Sequence, residues 1–360
     1  METKRKGKRK NLNSTVQLFF CNSCQKKFSL GKESKKKEIV RRHLEDCSSY
    51  RTIQRRNKCS RNTACKYVKE LSLEIKGSYW IAKNLRPRWK GVLCFDGTYI
   101  NVKNQFASLA RRRRWHKDER FLHKMIALLS TDFHSRDLPH YSLGDNENKI
   151  DLVIHFSQLK ENGYKLKVLV RDGNKRIQEA VKHVYGLIPA QLCHKHFLDK
   201  FDEKIACKEL RREREDIIEL KNRVCSIIRV NDIELAIRRM NEFARNKNRF
   251  ITSKTTQELI DKFMANFENL TMFLQYPKNF VPTTVNISEN MNNQLKMRFK
   301  PMNSFQSVIT AENYLKLWCL KRRFQKFTDC KKPYRHFNGK APLEIAGVNI
   351  TNLDYLNLGN

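Results

Sequence analysis

Two apolar runs, each interrupted by a single acid, constrain this chain more than any other feature. Gly91-Val92-Leu93-Cys94-Phe95-Asp96-Gly97-Thr98-Tyr99-Ile100-Asn101-Val102 and Lys167-Val168-Leu169-Val170-Arg171-Asp172-Gly173-Asn174 are rich in β-branched and aromatic residues and read as strands. A carboxylate within or at the end of such a strand is costly to desolvate, so its presence points to a task. Met125–Thr131 reads as a second strand and Leu138–Leu143 as a third, with Pro139 marking an edge or a strand start. A helical pattern over Lys149–Glu161 precedes the Lys167 run, and a second over Arg176–Tyr185 follows it. Three strands, a helix, a strand and a helix predict an α/β layer in which strands one and four lie side by side, bringing Asp96 next to Asp172.

From about Ile205 to Tyr276 the chain is charged, almost free of Gly and Pro, and periodic in Leu210, Ile217, Ile218, Leu220, Val224, Ile227 and Ile228. This predicts an all-α insertion. Over 360 residues, 40% hydrophobic content with 21 Phe is enough for at least one sizeable core. The 73 Lys and Arg against 37 Asp and Glu leave a formal charge of +36, which asks for a polyanionic partner. No apolar run is long enough to span a bilayer and the basic residues follow no single amphipathic stripe, so nucleic acid is expected and a membrane is not. The basic start has no apolar stretch behind it, which predicts a protein kept in the cytoplasm, and eleven scattered cysteines fit reduced thiols.

Before the strands, Cys21-Asn22-Ser23-Cys24 has the spacing with which two thiolates grip one zinc ion, and His43 and Cys47 would complete a set of four. A turn with free thiols is the alternative. Ser49–Leu71 reads as helix, short turn, helix, with Ser34–Asp46 as a preceding helix. Ser60 is a suitable N-cap, and Ala64, Tyr67, Val68 and Leu71 recur on one face. Arg61, Asn62, Thr63 and Lys66 are left on the exposed start of the last helix, where a helix-turn-helix meets base edges and phosphates. Asn57 and Lys58 occupy the turn where such motifs usually have an apolar residue and Gly, so an ordinary basic helical pair is the alternative.

The strings Phe95-Asp96-Gly97-Thr98-Tyr99, Arg171-Asp172-Gly173, Gln191-Leu192-Cys193-His194-Lys195-His196 and Asn286-Ile287-Ser288-Glu289-Asn290-Met291-Asn292-Asn293 resemble the DDE and Cys-x-x-His signatures of the Mutator-like transposases and their prokaryotic insertion-sequence relatives. The likeness covers roughly residues 90 to 350, and Tyr334–Glu344 is similar to the closing segment of prokaryotic members. The resemblance implies an RNase H-like catalytic core, in agreement with the strand and helix order, interrupted by the all-α insertion and preceded by the helix-turn-helix domain. Boundaries follow as 1–33 for a basic tail with a partial zinc segment, 34–75 for the helix-turn-helix, 76–90 for a linker, 91–204 for the first part of the core, 205–280 for the insertion and 281–360 for the last acid helix and basic end. The resemblance also makes Cys21 and Cys24 the closing half of a zinc ribbon, an alternative to the four-ligand set.

It further implies that Asp96, Asp172 and Glu289 hold two divalent ions, Mg²⁺ or Mn²⁺, and that Asp96 bridges both. The chemistry asks for the same set, since three converging carboxylates repel unless cations neutralise them. Glu312 is the rival for the third acid, more simply read as a solvated helix charge. Cys193 and His196 fit zinc ligation, core packing, or the family's motif beside the active site. Lys296, Arg298 and Lys300, just after Glu289, are placed to hold a phosphate, and Arg111–Arg114 with Trp115 read either as a backbone clamp or as a solvated charge run. Expected partners are double-stranded DNA, as element ends and target, and further copies in a homodimer or larger assembly near a prokaryotic nucleoid. The competing readings are a DNA-binding protein with idle acids and a nuclease that cuts without joining.

Overall fold

The computed structural model describes residues 3–11, 14–23, 25, 27–29, 32–57, 59–103, 122–299, 302 and 304–358. These form two compact units. One comprises residues 1–75, 313–321 and 354–360, the other residues 76–312 and 322–353. Among the described residues, no helix is long and apolar enough to cross a membrane.

In the first unit the segment expected to be a tail pairs instead. Strands β1 (Thr3–Asn11), β2 (Ser14–Cys21) and β3 (Lys27–Ser29) form an antiparallel sheet in that order. Helices Lys32–Leu44, Tyr50–Asn57 and Arg61–Glu74 follow, packed round Ile39, Ile53 and Ala64. The Ser60 side chain caps the third helix by accepting from the Thr63 backbone N–H at 3.0 Å. Lys36 ties the first helix to the third by pairing with Glu70 and Glu74. Lys316 and Tyr355 join the same unit by donating to the Ser72 carbonyl and to Glu45, both at 2.6 Å.

The second unit is built on a five-stranded mixed sheet of β4 (Val92–Lys103), β5 (Leu122–Asp132), β6 (His140–Gly144), β7 (Val168–Arg171) and β8 (Ala190–Leu192), in spatial order β6-β5-β4-β7-β8. The expected α/β class is found: β4 pairs antiparallel with β5 and parallel with β7. Helices Lys149–Glu161 and Lys175–Tyr185 cover one face. There Leu93, Phe95, Ile126, Leu128 and Leu169 meet Leu152, Phe156, Ile177 and Val181. Val92, Cys94, Val168 and Val170 point to the other face, against Cys193, Val281 and Val285. Burial on both faces explains why these strands read as continuous apolar runs.

The segment expected to be a linker carries a helix, Ser78–Leu85, whose Ile81 is fully buried. It ends at Arg86, in the left-handed region at φ 48°, just before Pro87. The helix-terminating proline is obvious in the sequence, whereas the single buried face before it is too short to stand out. Residues 194–271 form helices His194–Ala206, Arg214–Ile228, Ile233–Asn246 and Lys254–Thr271 around Phe197, Ile217, Leu220, Val224, Ile227, Phe243 and Phe263. Ile218, grouped with the periodic positions by sequence, is 37% exposed.

A pair of histidines in the sheet layer has a measurable consequence. His155 is fully buried between Ser130 Oγ (2.8 Å) and Ser142 Oγ (2.7 Å), and its ring lies 4.7 Å from that of His140. Burial lowers both imidazoles, His140 to about 4. In the unfolded chain the same rings take up protons near pH 6.5. Below that pH the unfolded state binds more protons, so stability falls as pH drops, by about 1.4 kcal/mol per pH unit per ring. The urea midpoint is expected to be lower at about pH 5 than at about pH 7, and His155→Gln should flatten the difference.

Candidate active site

The parallel pairing of β4 with β7 sets the site. Its last rung is Cys94 opposite Val170. Asp96 and Asp172 each lie two residues beyond that rung, Asp96 on the same face of β4 as Val92 and Cys94 and Asp172 just past the end of β7, near enough for its charge to act on Asp96. The chain covering this face runs through Val281 and Val285 into helix Asn286–Phe299, which carries Glu289. One turn after Glu289, the buried Asn292 donates through Nδ2 to Asp96 Oδ2 at 2.7 Å and to the Gly97 carbonyl at 3.3 Å. Asp96 Oδ1 accepts from the Gly97 N–H at 2.9 Å. Asp172 Oδ1 accepts from the Asn174 N–H, also at 2.9 Å.

The electrostatics are those of acids crowded away from water. Burial pushes the Asp96 carboxyl up, to about 6; the hydrogen bond from Asn292 opposes the rise, and the charges of Asp172 and Glu147 add to it. Glu289 is held by two cations, Lys195 Nζ at 2.7 Å and His196 Nε2 at 3.4 Å. The neighbouring Cys193 raises the His196 imidazole to about 9, and the charges of Glu289 and Asp172 contribute to the rise. His196 thus lies within the influence of two of the three acids.

The string Gln191–His196 divides its labour. Gln191 Nε2 donates to the Leu270 carbonyl and its Oε1 accepts from the Phe273 N–H, while His194 Nε2 meets the same Leu270 carbonyl at 2.7 Å. These contacts fasten the end of helix Lys254–Thr271 to β8. Cys193 is buried against the sheet, and Lys195 and His196 engage Glu289.

The other sequence candidates are placed as follows. Glu312 is exposed and meets none of these acids through a hydrogen bond or ion pair. Lys296 is exposed and Arg298 half-buried, further along the Glu289 helix, and Lys300 lies outside the described residues. In the other unit Arg61, Asn62 and Lys66 are exposed and Thr63 is half-buried. Of the N-terminal zinc candidates, Cys21 is buried and Cys47 exposed, while buried His43 contacts the Ser48 carbonyl through Nδ1 at 2.8 Å. Cys24 lies outside the described residues, as do Arg111–Arg114 and Trp115.

Among the described residues, no three His, Cys, Asp or Glu side chains are grouped closely enough to enclose one metal ion. The donor set is nonetheless suited to a hard divalent cation, because it offers carboxylate oxygens in mutual repulsion. Asn292 Oδ1 is also buried without a hydrogen-bond partner, and Glu289 Oε1 has the His196 ion pair at 3.4 Å but no hydrogen bond. Acceptors so poorly satisfied carry a desolvation cost that a bound cation and its water would relieve.

Three neighbours went unnoticed in the sequence as functional residues: Glu147, Asn174 and Lys195. Glu147 Oε2 accepts from Asn174 Nδ2 at 2.8 Å. A Cβ added to Gly97 would lie 2.7 Å from Glu147 Oε1 and 2.6 Å from Ile126 Cδ1. An alanine there would push aside the ends of both side chains, and Gly97→Ala is expected to displace Glu147 and lower activity by about 10-fold, as a small misplacement near reacting groups does. A steady-state strand-cleavage assay checks this.

Acids side by side on a mixed sheet, in a strongly cationic chain, point to a protein that works on DNA strands, and transposases are such a class. The sequence model of the transposase Mutator family matches residues 78–321, more than half of the chain. The chain belongs to the Mutator family of transposases. A comparison with curated proteins gives no match.

Proposed function

We propose that this transposase cuts DNA at element ends and joins the freed 3′-hydroxyl to target DNA, using Asp96, Asp172 and Glu289 to hold two divalent ions. The observation that carries this reading is the shared position of Asp96 and Asp172 beyond the Cys94–Val170 rung, with the Glu289 helix bonded to Asp96 through Asn292. The spatial strand order, with β4 between β5 and β7, supports an RNase H-like core. When bound, a pair of Mg²⁺ or Mn²⁺ ions supplies charge stabilisation for an in-line displacement at phosphorus.

The protein's own groups do the positioning. Asn292 orients Asp96, and the Asn174 N–H fixes Asp172. Lys195 and His196 balance Glu289 in the free protein, and handing Glu289 over to a cation would free both to face the scissile phosphate. Water then attacks the phosphodiester and the 3′-oxygen leaves; in the second step that oxygen, as the freed 3′-hydroxyl, attacks a target phosphate and displaces the target strand's own 3′-oxygen, which takes up the proton. Lys296, Arg298 and Lys300 hold the backbone close by. Helix Arg61–Glu74 presents Arg61, Asn62, Thr63 and Lys66 to the major groove in the manner of a helix-turn-helix. Cys193, buried against the sheet, lies close enough to His196 to favour its protonated form.

Two experiments test the reading. Labelled DNA carrying the element ends should be cut in Mg²⁺ and not in EDTA. Glu289→Gln should abolish cutting and Glu312→Gln should leave it intact; the reverse result would move the third acid to Glu312. For binding, raising salt from about 50 to about 200 mM should weaken DNA affinity by about 10³-fold or more if six or more phosphates are contacted. A gel-shift series measures that slope, and a flat one would contradict a phosphate-dominated interface.

A further inference from the structure

A cavity lies in the same compact unit as the acids, beside the start of β4 and the turn that follows β5. Its volume is about 630 Å³, within the range of sites that enclose a small ligand. Arg88, Lys90, His134, Tyr334, Phe337 and Lys340 are among the residues that line it. Asp132, also in the lining, pairs with Leu93, three residues before Asp96 on β4, which is roughly 10 Å along a strand. Phe133 packs with Val92 and Cys94, on the β4 face that Asp96 continues.

Local contacts build the walls. The Arg88 N–H donates to the Ala346 carbonyl at 2.7 Å, and the Phe133 N–H donates to the Val92 carbonyl at 2.8 Å. The buried Arg136 guanidinium lies 4.3 Å from the centre of the Tyr334 ring and 4.7 Å from that of Phe133, and so clamps the closing segment to the β5 turn. Tyr334 stacks on Phe337 at 5.6 Å and is still 36% exposed.

The lining charges are not matched to one another. The acids are engaged: Asp132 accepts from the Tyr164 and Ser135 hydroxyls, both at 2.8 Å, and Glu344 accepts from the Ala341 N–H at 2.7 Å. Arg88, Lys90 and Lys340 are exposed, and among the described residues their side chains take part in no hydrogen bond or ion pair. His134 Nε2 is buried without a partner as well. Open cations beside an aromatic wall match a phosphate joined to a flat base. A base within a duplex is covered on both faces, so only an unpaired one can enter.

We propose that this cavity holds one unpaired nucleotide of a DNA strand, its base against Tyr334 and its phosphate on Arg88, Lys90 and Lys340. The inference rests on the DNA reading of the protein and goes beyond it by giving a single strand a hold outside the acids.

Fluorescence anisotropy of the full chain, with labelled oligothymidine and separately with labelled duplex, tests this. Tyr334→Ala is expected to weaken single-strand binding by about 5-fold or more and to change duplex affinity by less than about 2-fold. Tyr334→Phe keeps the ring and should bind as wild type. Lys90→Gln combined with Lys340→Gln is expected to weaken single-strand binding and to lower its salt slope by about 1. Lys254→Gln combined with Lys262→Gln removes the same charge from exposed positions on helix Lys254–Thr271 and should leave both quantities nearly unchanged. Equal losses in the two lysine pairs would overturn the proposal, as would wild-type single-strand affinity in a folded Tyr334→Ala. If Tyr334→Ala does not fold, the lysine pairs decide, a loss confined to the cavity pair supporting the proposal. Thymidine monophosphate competing as tightly as the oligomer would overturn it too, since the occupant would then be a free nucleotide. If wild type binds neither single strand nor duplex, the DNA reading itself fails.

Discussion

Asp96→Asn is expected to lower strand cleavage by at least about 10³-fold, equivalent to about 4 kcal/mol of transition-state stabilisation, while the folded protein becomes no less stable. The two halves of the result come from the same geometry. An asparagine can still accept from the Gly97 N–H, and if the Asn292 amide turns over, the new amide can donate to Asn292 Oδ1 in place of the bond it received from Nδ2. The loss is then confined to the longer 3.3 Å bond from Asn292 to the Gly97 carbonyl. The charge that disappears is one the free protein holds at a cost. The folded-state pKa of Asp96 lies above the ordinary aspartate value of 3.8, so its contribution to stability is complete at low pH and is lost as pH rises through about 6. Near pH 8 wild type has already lost it and the neutral variant has no such loss. A catalytic defect accompanied by lowered stability would instead mark Asp96 as a structural residue. Rate measurements under single-turnover conditions, paired with urea unfolding at about pH 8, read both halves.

The second large effect belongs to a buried ion pair away from the acids. Arg323 is fully buried, and its Nε and one terminal nitrogen each donate to Asp137 at 2.8 Å. Trp89 Nε1 donates to the same carboxylate at 2.9 Å, and Arg323 reaches Ser78 Oγ at 3.4 Å. Asp137→Ala would leave a guanidinium in the core with no counter-charge and an indole N–H with no acceptor, and is expected to destabilise the protein by about 3–5 kcal/mol. Replacing both partners by apolar residues of similar volume should cost much less, because the penalty lies in the orphaned charge rather than in the absent pair. Urea midpoints for the single and double variants decide the matter. A single-variant loss below about 1 kcal/mol would show that the pair is far better hydrated than its burial indicates.

What could be read from the sequence follows the physics of each signal. β4 and β7 are buried on both faces and therefore appear as uninterrupted apolar runs, in which an Asp stands out. The insertion was visible because a helical face repeats over several turns, although Ile218 sits off that face. Glu147 was not legible: an acid in a polar loop looks like any solvated charge until Gly97 is seen to make room for it. Lys195 was hidden in the same way among 73 basic residues. Thr3–Asn11 passed for a basic tail because alternating Lys and Arg mask the strand pattern that pairing with Ser14–Cys21 reveals. The role of Asn292, by contrast, was half visible, since the Asn-rich string around Glu289 had no apolar reason to exist.

The basic residues divide between the two compact units in a way that suits two tasks. Arg61 and Lys66 lie exposed near the start of one helix, where they can track a groove, while Lys195 pairs with the third acid and Lys296 and Arg298 follow it on the same helix. Under the proposed function, recognition of an element end and chemistry on its phosphates fall to different elements. Variants of Lys66 should weaken DNA binding and leave the cleavage rate at saturating DNA unchanged, which a comparison of Kd with single-turnover rate will show.

The central claim is that one carboxylate site both cuts and joins. Purified protein incubated with labelled element ends and a supercoiled target plasmid in Mg²⁺ measures this directly. Labelled plasmid that is absent in EDTA and absent with Asp96→Asn is the predicted result; ends cut but never joined, or joining that persists with Asp96→Asn, would contradict it.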